Sequence, residues 1–224
     1  MALKAMILSA GRGERLRPLT DTTPKPLLPI NGKPMIVFHL EKLAEAGVKE
    51  VVINHAWLGE QFQEALGNGE KWGLKIHYSA EPDGGLETAG GIIQALPLLG
   101  DQAFWLVNGD VFTDFDFSNL PRKLPKPLQA HCVLVPTPCY KAQGDFGLNQ
   151  AGLVLPQGEW TFSGMSVFHP QFFSGLRAER LALAPLLREA MRLQQVSGQI
   201  YRGDWSDVGT PERLAQINQR QKSL

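Results

Sequence analysis

Cysteine is scarce in this chain of 224 residues: Cys132 and Cys139 are the only two, seven apart. That excludes a disulfide scaffold, a cysteine zinc site and a Cys-x-x-Cys redox centre. Cys132, inside the apolar run 132–135, reads as core filling. Long hydrophobic runs are missing too. Stretches such as 103–107 fall far short of the roughly 20 residues that span a bilayer, and the apolar run 5–8 is too short for a signal-peptide core. Net charge is absent, with 22 Lys plus Arg against 22 Asp plus Glu. No positive field exists to concentrate the chain on nucleic acid or on an anionic membrane. There is no internal repeat and no low-complexity tract. A reduced, cytoplasmic protein without nucleic-acid or membrane partners is expected, a monomer or weak homodimer, since neutrality does not discourage self-association.

What is present is a globular composition, 43% hydrophobic and 20% charged. A chain of this length can bury roughly 70% of its unfolded surface, enough for a core without staples. A single domain over residues 1–224 is expected, with no room for an appended second one. Its first half alternates strand and helix signals: a buried strand at 5–8, a helix from Pro34 through Ala44 stopped near Gly47, and a strand at 50–54. A helix at 61–66, a strand at 74–78, a helix at 90–96 and a buried strand at 103–107 follow. After about Phe117 the rhythm changes. Pro121, Pro125 and Pro127 interrupt the chain, 128–135 and 163–168 read as strands of a sheet extension or lid, 181–196 as an amphipathic helix, and 211–219 as a closing helix. The predicted fold is α/β and Rossmann-like, a mixed, mostly parallel sheet with helices on both faces.

The strand at 5–8 delivers the chain into Ser9-Ala10-Gly11-Arg12-Gly13, a glycine turn of the kind that presents backbone N–H groups to phosphate. Two familiar versions do not fit. The dinucleotide fingerprint needs a glycine where Leu16 stands, and no Gly-Lys-Ser/Thr follows Gly13. What remains is Gly11-x-Gly13-x-Arg15-x-Arg17-Pro18, followed by Pro24-Lys25-Pro26. Arg15 can fork onto phosphate oxygens, and Lys25 is a compact point charge between two prolines. The alternative is an ordinary turn with solvated cations. Asp110 follows a buried strand and so stands at its carboxyl end, where open α/β sheets bind ligands; a turn or cap role is the alternative. His39, His55, His77, His131 and His169 show no metal-ligand spacing, and the five tryptophans read as core or rim.

Residues 8–29 resemble the signature of the sugar-nucleotide pyrophosphorylases, which join a nucleoside triphosphate to a sugar 1-phosphate. The likeness extends to Asn108-Gly109-Asp110 and to Trp205-Ser206-Asp207-Val208-Gly209-Thr210-Pro211, in the same order. It implies a nucleotide-binding half (1–117) and a sugar-binding half (118–224). Ala10, Gly11, Gly13, Glu14, Arg15, Lys25, Glu81 and Gly90 would bind the nucleotide, with Arg15, Lys25 and Asp110 catalytic. Asn108, Asp145 and Gly164 would meet the sugar, and Asp110 and Asp207 would hold Mg²⁺. The run Leu86-Glu87-Thr88-Ala89-Gly90-Gly91 resembles a base-reading segment, and reads equally as a helix start with Thr88 as N-cap.

Residues 52–60, Gly144-Asp145-Phe146 and 161–167 are similar to the N-acetylmuramate 1-phosphate uridylyltransferases of peptidoglycan recycling. UTP and N-acetylmuramate 1-phosphate are then the expected substrates. Another hexose 1-phosphate of glucose or mannose type with UTP, dTTP or GTP is the alternative, and an inactive nucleotide-sugar sensor a more distant one. The Glu-Lys-Pro motif that supplies a sugar-phosphate lysine in many pyrophosphorylases is absent. Lys141 and Arg202 are substitutes by charge and region, each also readable as a solvated surface residue. No β-helix extension is present, so no acetyltransferase activity is expected.

Overall fold

A computed structural model describes residues 2–221. The chain runs β1 (Lys4–Leu8), β2 (Pro29–Ile30), β3 (Lys33–Pro34), α1 (Met35–Glu45), β4 (Glu50–His55), α2 (Glu60–Leu66), β5 (Lys75–Ala80), α3 (Glu87–Leu99) and β6 (Phe104–Asn108). It continues β7 (Val111–Thr113), β8 (Ala130–Pro136), β9 (Phe146–Leu148), β10 (Val154–Phe168), α4 (Leu183–Arg192), β11 (Val196–Ile200), β12 (Trp205–Asp207) and α5 (Pro211–Gln221).

Eight strands form one sheet in the order β11-β8-β10-β6-β1-β4-β5, with β9 pairing β10. Strand β10 is antiparallel to β6 and β8, whereas β1–β4, β4–β5, β1–β6 and β8–β11 are parallel, so the sheet is mixed and mostly parallel. Side-chain alternation builds two cores. Ala5, Ile7, Val51, Ile53, Trp105 and Val107 face α1 and α2, while Met6, Val52, Phe104 and Leu106 face α3 and α4. Helices therefore cover both faces, and each fully buried large apolar side chain contributes about 1.5–3 kcal/mol.

The connectivity creates the crevice. From β1 the chain moves outward to β4 and β5, then crosses back through α3 to place β6 on the other side of β1, with Leu8 level with Asn108. Loops leaving β1 and β6 diverge there, at a topological switch point. A third apolar cluster of Leu16, Leu28, Ile30, Met35, Phe112, Val208, Leu214 and Ile217 ties the loop after β1 to β7, β12 and α5.

Two local expectations are corrected. The helix expected over 181–196 occupies only Leu183–Arg192; Gln194 turns to a positive φ of 57°, and buried Val196 starts edge strand β11 beside β8. Strand β11 reads Val-Ser-Gly-Gln-Ile, too little alternation to announce itself. Thr88 is not an N-cap but lies inside the first turn of α3. The Leu86 N–H at that helix start donates instead to Glu81 Oε2 at 2.7 Å. The short strands β7, β9 and β12 were not anticipated, because three residues carry no period.

Candidate active site

A cavity of about 900 Å³ opens at the carboxyl ends of β1, β4 and β6. Its floor is the glycine turn. Gly13 takes a φ of 72°, and a Cβ there would lie 2.9 Å from Thr20 Cγ2, so both the backbone and the space require glycine. Thr20 Oγ1 donates to the Gly13 carbonyl at 2.9 Å, and Arg12 fixes the outer side by donating to the Thr20 carbonyl at 2.7 Å while its guanidinium lies 3.7 Å from the Trp57 ring centre. The N–H groups of Ala10, Gly11, Arg12, Gly13 and Glu14 have no acceptor within the described chain. Arg15 is exposed, lines the same cavity and forms no ion pair among the described residues. Unpaired amides beside an unpaired guanidinium make an anion cradle.

Lys25, only 9% exposed, is held in a 3-10 turn between Pro24 and Pro26 and donates to Asp110 Oδ2 at 2.6 Å. The short strands β7 and β12 bring Asp207 alongside: Asp207 pairs with Val111, and the Val208 N–H donates to the Asp110 carbonyl at 2.8 Å. Asp207 Oδ1 accepts Arg213 Nη1 at 2.5 Å and the hydroxyl of half-exposed Tyr140; partial burial together with the hydrogen bond to the Asp207 carboxylate pushes the phenol up, which keeps it a donor. No group of three or more His, Cys, Asp or Glu side chains with metal-binding geometry occurs among the described residues. Two carboxylates on neighbouring backbones, with substrate oxygens and water completing the shell, match the donor set that Mg²⁺ prefers.

Asn54, 2% exposed at the end of β4, couples the turn to α3. Its Oδ1 accepts the Ser9 N–H at 2.8 Å, and its Nδ2 donates to Glu81 Oε1 at 2.6 Å. Burial pushes the neighbouring His55 imidazole below its ordinary value.

Of the residues singled out in the sequence, Ala10, Gly11, Gly13, Glu14, Arg15, Lys25, Glu81, Asn108 and Asp110 line this one cavity. Gly90, Asp145, Gly164 and Asp207 stand outside its wall. Gly90 is packed beneath the Glu179 carbonyl, and it is Gly91 that faces Glu81 and Asn54. Gly164, at a φ of 80°, backs onto Asn108, whose Nδ2 would lie 2.7 Å from an added Cβ. Asp145 Oδ2 accepts Lys141 Nζ at 2.5 Å and the Phe162 N–H at 3.0 Å, while Arg202 lies over the Trp160 ring. Sequence reading missed Arg12, Asn54, Trp57, Gly209, Tyr140 and Arg213. A polar residue ending an apolar strand was the available signal for Asn54, and Arg12 and Gly209 lie inside the quoted motifs; Trp57, Tyr140 and Arg213 are brought in by long-range folding.

The sequence profile of the Nucleotidyl transferase family matches residues 4–223. The chain is 54% identical over 220 residues, 95% of each protein, to an N-acetylmuramate alpha-1-phosphate uridylyltransferase of Neisseria meningitidis serogroup B. It is 30% identical over 234 residues to the mannose-1-phosphate guanylyltransferase catalytic subunit beta of Danio rerio, covering 94% of this chain and 62% of that one. The fold matches that of a Bacillus anthracis protein described as a glucose-1-phosphate thymidylyltransferase in complex with a sucrose, at a TM-score of 0.86 and 20% identity, covering 100% of this chain and 96% of that one. No helix among the described residues is long and apolar enough to cross a membrane. The chain belongs to the nucleotidyl transferase family, as an enzyme of the sugar-nucleotide pyrophosphorylase type.

Proposed function

We propose that this enzyme joins UTP to N-acetylmuramate 1-phosphate, giving UDP-N-acetylmuramate and pyrophosphate, as a cytoplasmic step of peptidoglycan recycling. The observation that carries the substrate pair is the 54% identity over 95% of both chains to an N-acetylmuramate alpha-1-phosphate uridylyltransferase. Within one domain, residues 1–117 bind the nucleotide and 118–224 the sugar, with neither nucleic acid nor membrane as partner and the chain a monomer or weak homodimer.

A sugar phosphate oxygen attacks the α-phosphorus of UTP in line, the bond from that phosphorus to the β-phosphate oxygen breaks, and pyrophosphate leaves. The nucleophile is already an anion near neutral pH, so no protein base is needed and the task is to hold two anions together. The amides from Ala10 to Glu14 and the free Arg15 guanidinium grip the departing phosphates. Lys25, fixed in the cavity wall, offsets charge that develops at the α-phosphate. Asp110 and Asp207 would hold Mg²⁺, which when bound neutralises phosphate charge as a Lewis acid. Glu81, at the far wall, serves the nucleotide through the start of α3. Asn108, Gly164 and Asp145 form the path on which the sugar lies.

Pyrophosphate release tests this, comparing N-acetylmuramate, glucose, N-acetylglucosamine and mannose 1-phosphates with UTP, then the best sugar with the other triphosphates. Release confined to N-acetylmuramate 1-phosphate and UTP is expected. Release with another pair moves the enzyme to a different nucleotide sugar, and none with any pair favours an inactive sensor.

A further inference from the structure

We infer that Tyr140 and Arg213 are positioning residues that keep one oxygen of Asp207 free to meet a divalent cation. This rests on the proposed metal role of Asp207 and deepens it. Both donors converge on one atom: Arg213 Nη1 lies 2.5 Å from Asp207 Oδ1, and the Tyr140 hydroxyl donates to the same Oδ1. Oδ2 accepts no hydrogen bond among the described residues. Asp110 is arranged in the same way, with Oδ2 taken by Lys25 and Oδ1 left without a donor. Each carboxylate thus has one oxygen fixed by the protein and one available.

An arginine left alone with a carboxylate tends to fork across both oxygens. Here two contacts oppose that. Arg213 Nη1 is shared with the Asp207 backbone carbonyl at 3.2 Å, and the guanidinium lies 3.8 Å from the Tyr140 ring centre, which fixes its plane. The phenol hydroxyl then holds the carboxylate by Oδ1, so that rotation toward a bidentate pair would break its hydrogen bond. Tyr140 comes from the connection between β8 and β9, 67 residues before Asp207. The next residue, Lys141, pairs with Asp145. That connection therefore touches a candidate metal ligand and a candidate sugar ligand at successive positions.

The test uses Mn²⁺ alone, titrated into the protein and followed by loss of the free-ion electron paramagnetic resonance signal. Tyr140→Phe keeps the ring against Arg213 and removes only the hydroxyl, and Tyr140 is 51% exposed, so the fold is retained. Mn²⁺ binding by Tyr140→Phe is expected to weaken about 3- to 10-fold, the range of one hydrogen bond. In an Asp207→Asn background the same change should have no further effect, because the coupling partner is gone. Unchanged or tighter Mn²⁺ binding by Tyr140→Phe, with Asp207→Asn weakened, overturns the inference alone. If Asp207→Asn binds Mn²⁺ as the unaltered protein does, the metal role of Asp207 and the inference both fall.

Discussion

Lys25 combines burial, charge and fixed geometry. Two flanking prolines restrict the backbone and Asp110 holds the ammonium at 2.6 Å, so its position is set before any ligand arrives. A charge fixed in that way acts where the transition state differs from the bound substrate. Lys25→Ala should therefore lower turnover by about 100-fold or more while UTP affinity changes only a few-fold; a pure loss of affinity in steady-state kinetics would contradict this. Asp110→Asn and Asp207→Asn should each lower turnover at saturating substrates by orders of magnitude with an unaltered circular dichroism spectrum, and undiminished turnover in either would remove that aspartate from the mechanism. Asn54 acts through others. Asn54→Leu orphans the Ser9 N–H and one oxygen of Glu81, and should destabilise the protein by about 1–3 kcal/mol and raise the KM for UTP. Urea unfolding and kinetics check both, and an unchanged stability would show that the Ser9–Asn54–Glu81 chain does not hold the turn.

The parallel pair β1 and β6 delivers the glycine turn and Asp110 to the same level, and α1 closes one face beneath them. Within α1, His39 is 2% exposed, and burial holds its imidazole down at about 4 instead of the ordinary 6.5. Above 6.5 both folded and unfolded chains carry it neutral. Between 6.5 and 4 the unfolded chain takes up a proton that the folded chain refuses, so stability falls as pH falls, by about 3 kcal/mol from this group, and no further below 4. His39→Leu should flatten that part of the stability profile in urea unfolding at stepped pH; parallel profiles would show that His39 is not the source. The strands with three or more apolar residues in a row, β1, β4, β6 and β8, were readable from the sequence because both their faces are buried. Strands β7, β11 and β12 were not, because short or polar strands take their structure from a partner: β12 exists through β7, and β11 through β8.

The whole molecule is a neutral shell around a crevice at the switch point of its sheet, and it is there that sequence and structure agree best. The glycine turn, Arg15, Lys25 and Asp110 lie within short motifs whose chemistry is visible locally, and the fold gathers them around one cavity. What local reading could not supply are contacts between distant segments, such as Tyr140 on Asp207, Asn54 on Glu81, and Arg15 against Gly209. Gly90 shows the converse, a motif residue that tertiary packing turns toward the Glu179 carbonyl. The direct transfer between two bound anions is best examined with N-acetylmuramate 1-phosphate carrying ¹⁸O in its phosphate, incubated with UTP and Mg²⁺ and read by mass spectrometry. All label should remain in UDP-N-acetylmuramate, with an equal amount of unlabelled pyrophosphate. Labelled pyrophosphate, or consumption of UTP without a nucleotide sugar, would contradict it.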